Sequence, residues 1–261
     1  MTVGIAAVCD DGNAIVAAAD RMRTNIMETE PKSSKIEEYG SHCVVLPTGR
    51  GNRVEPVINI AREKYSRRDV KKIAGEIRNA YQDERNRKIC EEILFPVGLS
   101  FEVINGRQQS LTQPVIGSMY QKMAEFNLEL SLLIAGIDKS SDAPAKIYIL
   151  NNPGSLDALN RMDCMAIGSG QHFAYASLAE KRYERDASVN EAVFRVLEAK
   201  KISECAPGVG KATDVRIIDE KGIRKIDQGA IEDLEKLIEN KRTNVARIDV
   251  ELLKDVKEMS F

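Results

Sequence analysis

A hydroxyl, a carboxylate and an ammonium stand near the start of this 261-residue chain, as Thr2, Asp20 and Lys35. A threonine that becomes the N-terminal residue carries both halves of a nucleophilic catalyst. Its hydroxyl attacks. Its own α-amine, with an ordinary pKa of about 7.7–8, takes the hydroxyl proton directly or through water. A neighbouring lysine lowers the amine's proton affinity by like-charge repulsion, and a carboxylate holds that lysine charged and in place. Such a machine needs no histidine. Gly49, fourteen residues after Lys35, adds a backbone N–H that a substrate oxyanion can approach closely.

The supply of other groups points the same way. His42 and His172 are the only histidines, a poor stock for a triad or a histidine-rich metal site. The five cysteines (9, 43, 90, 164 and 205) are scattered and never form a CxxC pair. That argues against zinc and for a reducing, cytoplasmic setting. Cys9 falls on an apolar stretch and reads as core. With a net charge of −2 and no basic stripe or acidic tail, neither nucleic acid nor a membrane surface is an expected partner. No apolar run reaches the roughly 18–20 residues of a membrane span. The N-terminus lacks the charged lead and apolar core of a signal peptide. Thr2 is therefore expected to be exposed by ordinary methionine removal. No cofactor is expected.

The elements around these residues can be read from periodicity. TVGIAAV at 2–8 and AIVAAA at 14–19 flank the turn DDGN; they predict a hairpin whose two ends are Thr2 and Asp20. Strands are also expected at 42–48, ended by the GRG at 49–51, and at 131–136, 145–150 and 163–167. A last pair is expected at 214–218 and 223–226. A helical region runs from about Val54 to Leu94 with a break near Ser66, and Ile73, Ile77 and Tyr81 give it one buried stripe. Asn105-Gly106 within 97–112 predicts a hairpin, and a short helix follows at about 116–126. A helix is expected from GSG at 168–170 to about Glu184. Ser188 to Glu191 is a capping box, opening a helix with Ala192, Val193, Val196 and Leu197 on one side. The tail predicts two amphipathic helices, with Ile231, Leu234, Leu237 and Ile238 on the first and Ile248, Leu252 and Val256 on the second. No linker or repeat interrupts the chain, so sheets packed between helix layers in a single domain over 1–261 are expected.

Two other patterns fail on inspection. Gly208-Val209-Gly210-Lys211 lacks the P-loop's earlier glycine, where Cys205 stands, and its following hydroxyl, where Ala212 stands. Ile167 stands where a GxSxG elbow around Ser169 needs a glycine.

Taken in order, several stretches resemble the β-type subunits of the proteasome family, which are N-terminal-nucleophile hydrolases. They are TVGI at 2–5, DG at 11–12, AAADRMRT at 17–24, Lys35 ahead of TG at 48–49, LLIAGID at 132–138, AIGSGQHFAYASLAE at 166–180 and ATDVRII at 212–218. The resemblance implies an α+β fold, a four-layer αββα sandwich. It implies a threonine-type peptidase that forms an acyl ester on Thr2, with Asp20 and Lys35 tuning the nucleophile. Ser169 and Asp214 would hydrogen-bond around the amine, and Gly49 N–H would meet the oxyanion. An extended peptide would pair with the backbone at Thr24, Gly49 and Gly51. Pro47 lies in the strand beside that cleft and removes one donor, and Ile217 stands where catalytic members often have a serine. Residues 95–125 are expected to be an insertion and 228–261 a helical extension. The implied partners are a peptide or unfolded-protein substrate and further copies in a homo-oligomeric ring, with a partner ring or ATPase as further candidates. Two alternatives stay open: a catalytically inactive ring-forming structural or regulatory subunit, or an N-terminal-nucleophile enzyme acting on a non-peptide amide or in peptide ligation.

Overall fold

Strands β1 (Val3–Cys9) and β2 (Ala14–Asp20) are buried along their whole length. Small and β-branched residues on both faces suit a strand covered from both sides. The turn between them takes left-handed backbone at Asp10, Asp11 and Gly12, residue types that tolerate it. The computed structural model describes residues 2–24, 28–29, 34–63, 69–107 and 112–257. Met1 and Ser66 lie outside them.

The remaining strands are β3 (Arg23–Thr24), β4 (Glu28–Thr29), β5 (Glu37–Tyr39), β6 (Cys43–Gly49), β7 (Leu130–Ile137), β8 (Ala145–Asn151), β9 (Ser155–Ala158), β10 (Cys164–Gly168), β11 (Thr213–Asp219) and β12 (Gly222–Lys225). The helices are α1 (Gly51–Glu63), α2 (Val70–Ile89), α3 (Phe101–Arg107), α4 (Gln113–Glu125), α5 (Gln171–Glu180), α6 (Val189–Ser203) and α7 (Gln228–Lys257). Two five-stranded antiparallel sheets result, ordered β10-β1-β2-β11-β12 and β5-β6-β7-β8-β9, while β3 and β4 pair with each other.

Three apolar cores separate the layers. Val3, Ile5, Val16 and Val215 pack on Leu178, Val196 and Leu197 of α5 and α6. Ala6, Ile15, Leu46 and Leu133 fill the space between the sheets. Val45, Leu132 and Ile134 pack on Val57, Ile73 and Ile77 of α1 and α2. The order helix, sheet, sheet, helix is the α+β, four-layer αββα sandwich. Ser188 caps α6, its Oγ accepting from the Glu191 N–H at 3.3 Å, while the Glu191 carboxylate accepts from Arg195.

The structure corrects two expectations. The Asn105-Gly106 hairpin is absent; residues 101–107 are helical, and 108–111 lie outside the described residues. Phe101 and Ile104, three apart, face a satellite core of Ile89, Leu94, Met119 and Met123, and that contact wins over the local turn signal. The tail is one 30-residue helix, not two. On it Ile231 and Ile238 are buried, but Leu237 is 56% exposed, because packing against the body uses the other side of the helix. Periodicity also missed β3, β4, β5 and β9, each only two to four residues long and too short to show a period.

Candidate active site

Because Gly4 lies opposite Ala19, the start of β1 meets the end of β2, and Asp20 arrives beside Thr2. Asp20 Oδ1 accepts from the Val3 N–H at 2.9 Å and from the Thr2 hydroxyl. Oδ2 accepts from the N–H groups of Met22 at 3.0 Å and Gly210 at 3.1 Å. It also accepts from Lys35 Nζ at 3.2 Å. Lys35 Nζ donates as well to Thr2 Oγ1, at 2.8 Å. The hydroxyl is thus held between an ammonium that donates to it and a carboxylate that accepts from it. Thr2 is 3% exposed, Lys35 8% and Asp20 0%. Ions this dry persist as a pair; removing one partner typically costs about 3–5 kcal/mol.

The turn after β10 wraps the Thr2 backbone. Gly168 pairs with Val3 at φ +92°, and a Cβ there would lie 2.3 Å from the Thr2 carbonyl oxygen, so the close approach requires glycine. The Thr2 nitrogen donates to Ser169 Oγ at 3.3 Å. The Ser169 hydroxyl also lies 3.3 Å from the carbonyl oxygens of Thr2 and Pro207.

Asp214 is placed differently. On β11 it pairs with Ala19 and turns to the residue after β2. Its two oxygens take Arg21 Nε at 3.1 Å and Nη2 at 2.8 Å. This is the bidentate fork that planar guanidinium favours. Ser169 is therefore the side chain that meets the Thr2 nitrogen, while Asp214 is engaged by Arg21. Ile217 packs in the apolar layer beneath α6.

Gly49 closes β6 at φ +126°, where a Cβ would fall 2.1 Å from the Glu129 carbonyl oxygen. Two cavities meet at Thr2. One, of about 960 Å³, runs along Ser131, Asn127, Asn152 and Ser169. The other, of about 420 Å³, is lined by Lys35, Pro47, Gly51, Glu55 and Arg62. Thr2, Gly49 and Asn52 line both. Among the described residues the β5 ladder on β6 stops at Val45, so Pro47 on that side of β6 has no ladder partner to donate to, a place where a strand tolerates proline. Gly51 is the first residue of α1, and Thr24 belongs to β3, paired with β4.

Three of the five thiols are too buried to compete with Thr2. Burial pushes Cys9 and Cys43 up to about 12 and Cys164 up to about 11, which keeps them protonated at neutral pH. Among the described residues no cluster of three or more His, Cys, Asp or Glu is placed to share a metal ion. Sequence reasoning missed Arg21, Gly168 and the N–H of Gly210. Arg21 and Gly168 lie inside stretches quoted above, AAADRMRT and AIGSGQ. Gly210 lies in the GVGK turn, which carried no signal of proximity to Asp20.

Residues 102–203 match the family model described as Proteasome subunit. Among solved structures, the whole chain is similar to Anbu (ancestral beta-subunit) from Yersinia bercovieri. That match has a TM-score of 0.68 over 95% of this chain and 97% of the other, at 12% identity. This is a proteasome β-type fold. At that identity the likeness speaks for architecture alone, and of the motifs quoted above the family model spans LLIAGID at 132–138 and AIGSGQHFAYASLAE at 166–180. A search of curated proteins finds no matching sequence. No helix among the described residues is long and apolar enough to cross a membrane.

Proposed function

We propose that the chain is a threonine-type amide hydrolase acting on peptides, with Thr2 as its nucleophile once Met1 is removed. The observation that carries this reading is the Thr2 hydroxyl held between Lys35 Nζ and the Asp20 carboxylate at the meeting point of two cavities. Thr2 Oγ1 attacks the scissile carbonyl carbon, and its proton passes to the freed α-amine. The oxyanion develops toward the Gly49 N–H, which lines both cavities. The C–N bond breaks as the α-ammonium returns the proton to the leaving amine, which leaves an acyl ester on Thr2. Water, deprotonated by the same amine, then releases the acid and restores the hydroxyl. Ser169 orients the amine. The open edge of β6 between Pro47 and Gly49 receives the peptide as an added strand, beside the backbone of Thr24 and Gly51. Copies of the chain assemble into a ring in the cytoplasm.

A second reading is a structural or regulatory ring subunit with a disused site. It draws on Asp214, whose carboxylate is taken up by Arg21, and on Ile217, which brings no hydroxyl toward Thr2. Thr2→Ala decides between the two. The hydrolase reading expects peptide cleavage to vanish while the fold stays intact. Cleavage at the parental rate in that variant would overturn it. Hydrolysis confined to small non-peptide amides would move the substrate class and leave the nucleophile in place.

A further inference from the structure

Helix α6 carries a lysine that the chemistry above does not use. Lys200 is 0% exposed, and its Nζ donates to Glu204 Oε1 at 2.7 Å and to the Lys211 carbonyl at 2.5 Å. Burial lowers its proton affinity, and the Glu204 carboxylate pulls the other way. An apolar side chain would fill the same space at lower desolvation cost. What the lysine supplies is a donor to one backbone carbonyl, and the place of that carbonyl matters.

Lys211 lies in the loop between α6 and β11, and the loop's outward contacts converge on the Thr2 site. Its Pro207 carbonyl accepts from Ser169 Oγ at 3.3 Å. Its Gly210 N–H donates to Asp20 Oδ2 at 3.1 Å. Its Ala212 carbonyl accepts from the Arg21 N–H at 3.1 Å. The Lys200 anchor falls between the last two. Val209 of the loop and Ser203 at the end of α6 lean on Gly170, where a Cβ would stand 3.1 Å from a Val209 methyl and 3.0 Å from Ser203 Cβ.

We propose that Lys200, charge-paired with Glu204, is a positioning residue for the Thr2–Asp20 pair. It clamps the 205–212 loop so that Gly210 N–H stays on the oxygen of Asp20 that Lys35 also uses. The inference rests on the hydrolase reading. When the clamp is lost, Gly210 leaves Oδ2, the carboxylate turns, and Lys35 follows it away from Thr2 Oγ1. Lys200, Glu204 and Gly210 line neither cavity at Thr2, so the effect falls on turnover and spares binding.

The test uses the full chain, Lys200→Met and Glu204→Gln, with a small β-lactone to titrate reactive Thr2 and a fluorogenic peptide as substrate. Turnover per titrated site is expected to fall roughly 10²-fold in Lys200→Met, the size that misplacement of a remote support produces. It is expected to fall less in Glu204→Gln, with KM unchanged in both. A purely structural lysine would lower the melting temperature and the titratable fraction while turnover per site held. Wild-type turnover per site in both variants overturns the proposal, and if Lys200→Met does not fold, wild-type turnover in Glu204→Gln alone does so. A parent chain that forms no adduct overturns the hydrolase reading, and this proposal with it.

Discussion

The two sheets supply the site in different ways. The first brings its groups on strands buried from end to end: Thr2 ahead of β1 and Asp20 at the close of β2 are fixed by the same ladder. The second brings its groups at strand ends, with Lys35 two residues before β5 and Gly49 as the last, exposed residue of β6. Nucleophile and carboxylate therefore share one rigid element, while the groups that face substrate sit on a rim. A side chain on a doubly covered strand cannot adjust, because a one-residue slip would turn the whole strand over. A backbone N–H at a strand end is open to an incoming chain.

The largest effect should come from the rigid side. Asp20→Asn places amide hydrogens where five donors converge, and the rate of peptide cleavage is expected to fall by about 10⁴, the upper range for general acid–base contributions. A fall of less than about tenfold would show that the buried carboxylate is architectural. On the rim, Gly49→Ala drives a Cβ onto the Glu129 carbonyl at 2.1 Å and turns the N–H away. A loss of roughly 10²–10³ in kcat is expected, the size of one oxyanion donor, and a parental kcat would remove Gly49 from that role. In a chain whose more accessible thiols, Cys90 and Cys205, are replaced by serine, iodoacetamide should leave cleavage within about twofold, since Cys9, Cys43 and Cys164 with raised pKa values stay protonated; strong inhibition would implicate one of those three. The smallest effect concerns the tie between the sheets, where Arg216 on β11 reaches Glu38 on β5 at 2.7 Å. Glu38 is partly solvated, so Glu38→Gln should cost no more than about 1 kcal/mol in denaturant unfolding and leave kcat alone.

The same division explains what could be read without coordinates. The Thr2–Asp20 hairpin was legible because VGIAAVC and AIVAAAD are apolar runs of strand length with the turn signal DDGN between them, and local pairing decides their meeting. Lys35 was legible only through its place in the family pattern, since nothing in SSK marks a buried lysine. Asp214 shows the limit. Its strand and position were foreseen, but its partner Arg21 lies 193 residues away, and only the β2–β11 register brings the two together. The helix at 101–107 failed for a related reason. Asn-Gly is a local signal, while Ile104 answers to Leu94 and Met123. The single tail helix failed because the two apolar stripes read as separate elements belong to one continuous helical phase.

The central claim is that Thr2 is a working nucleophile. The most direct measurement is the intact mass of the purified chain before and after exposure to a small β-lactone. The account predicts loss of one methionine and a single adduct, absent in Thr2→Ala. A chain that keeps Met1 and takes no adduct would contradict it, and the site would then be inherited architecture in a ring subunit.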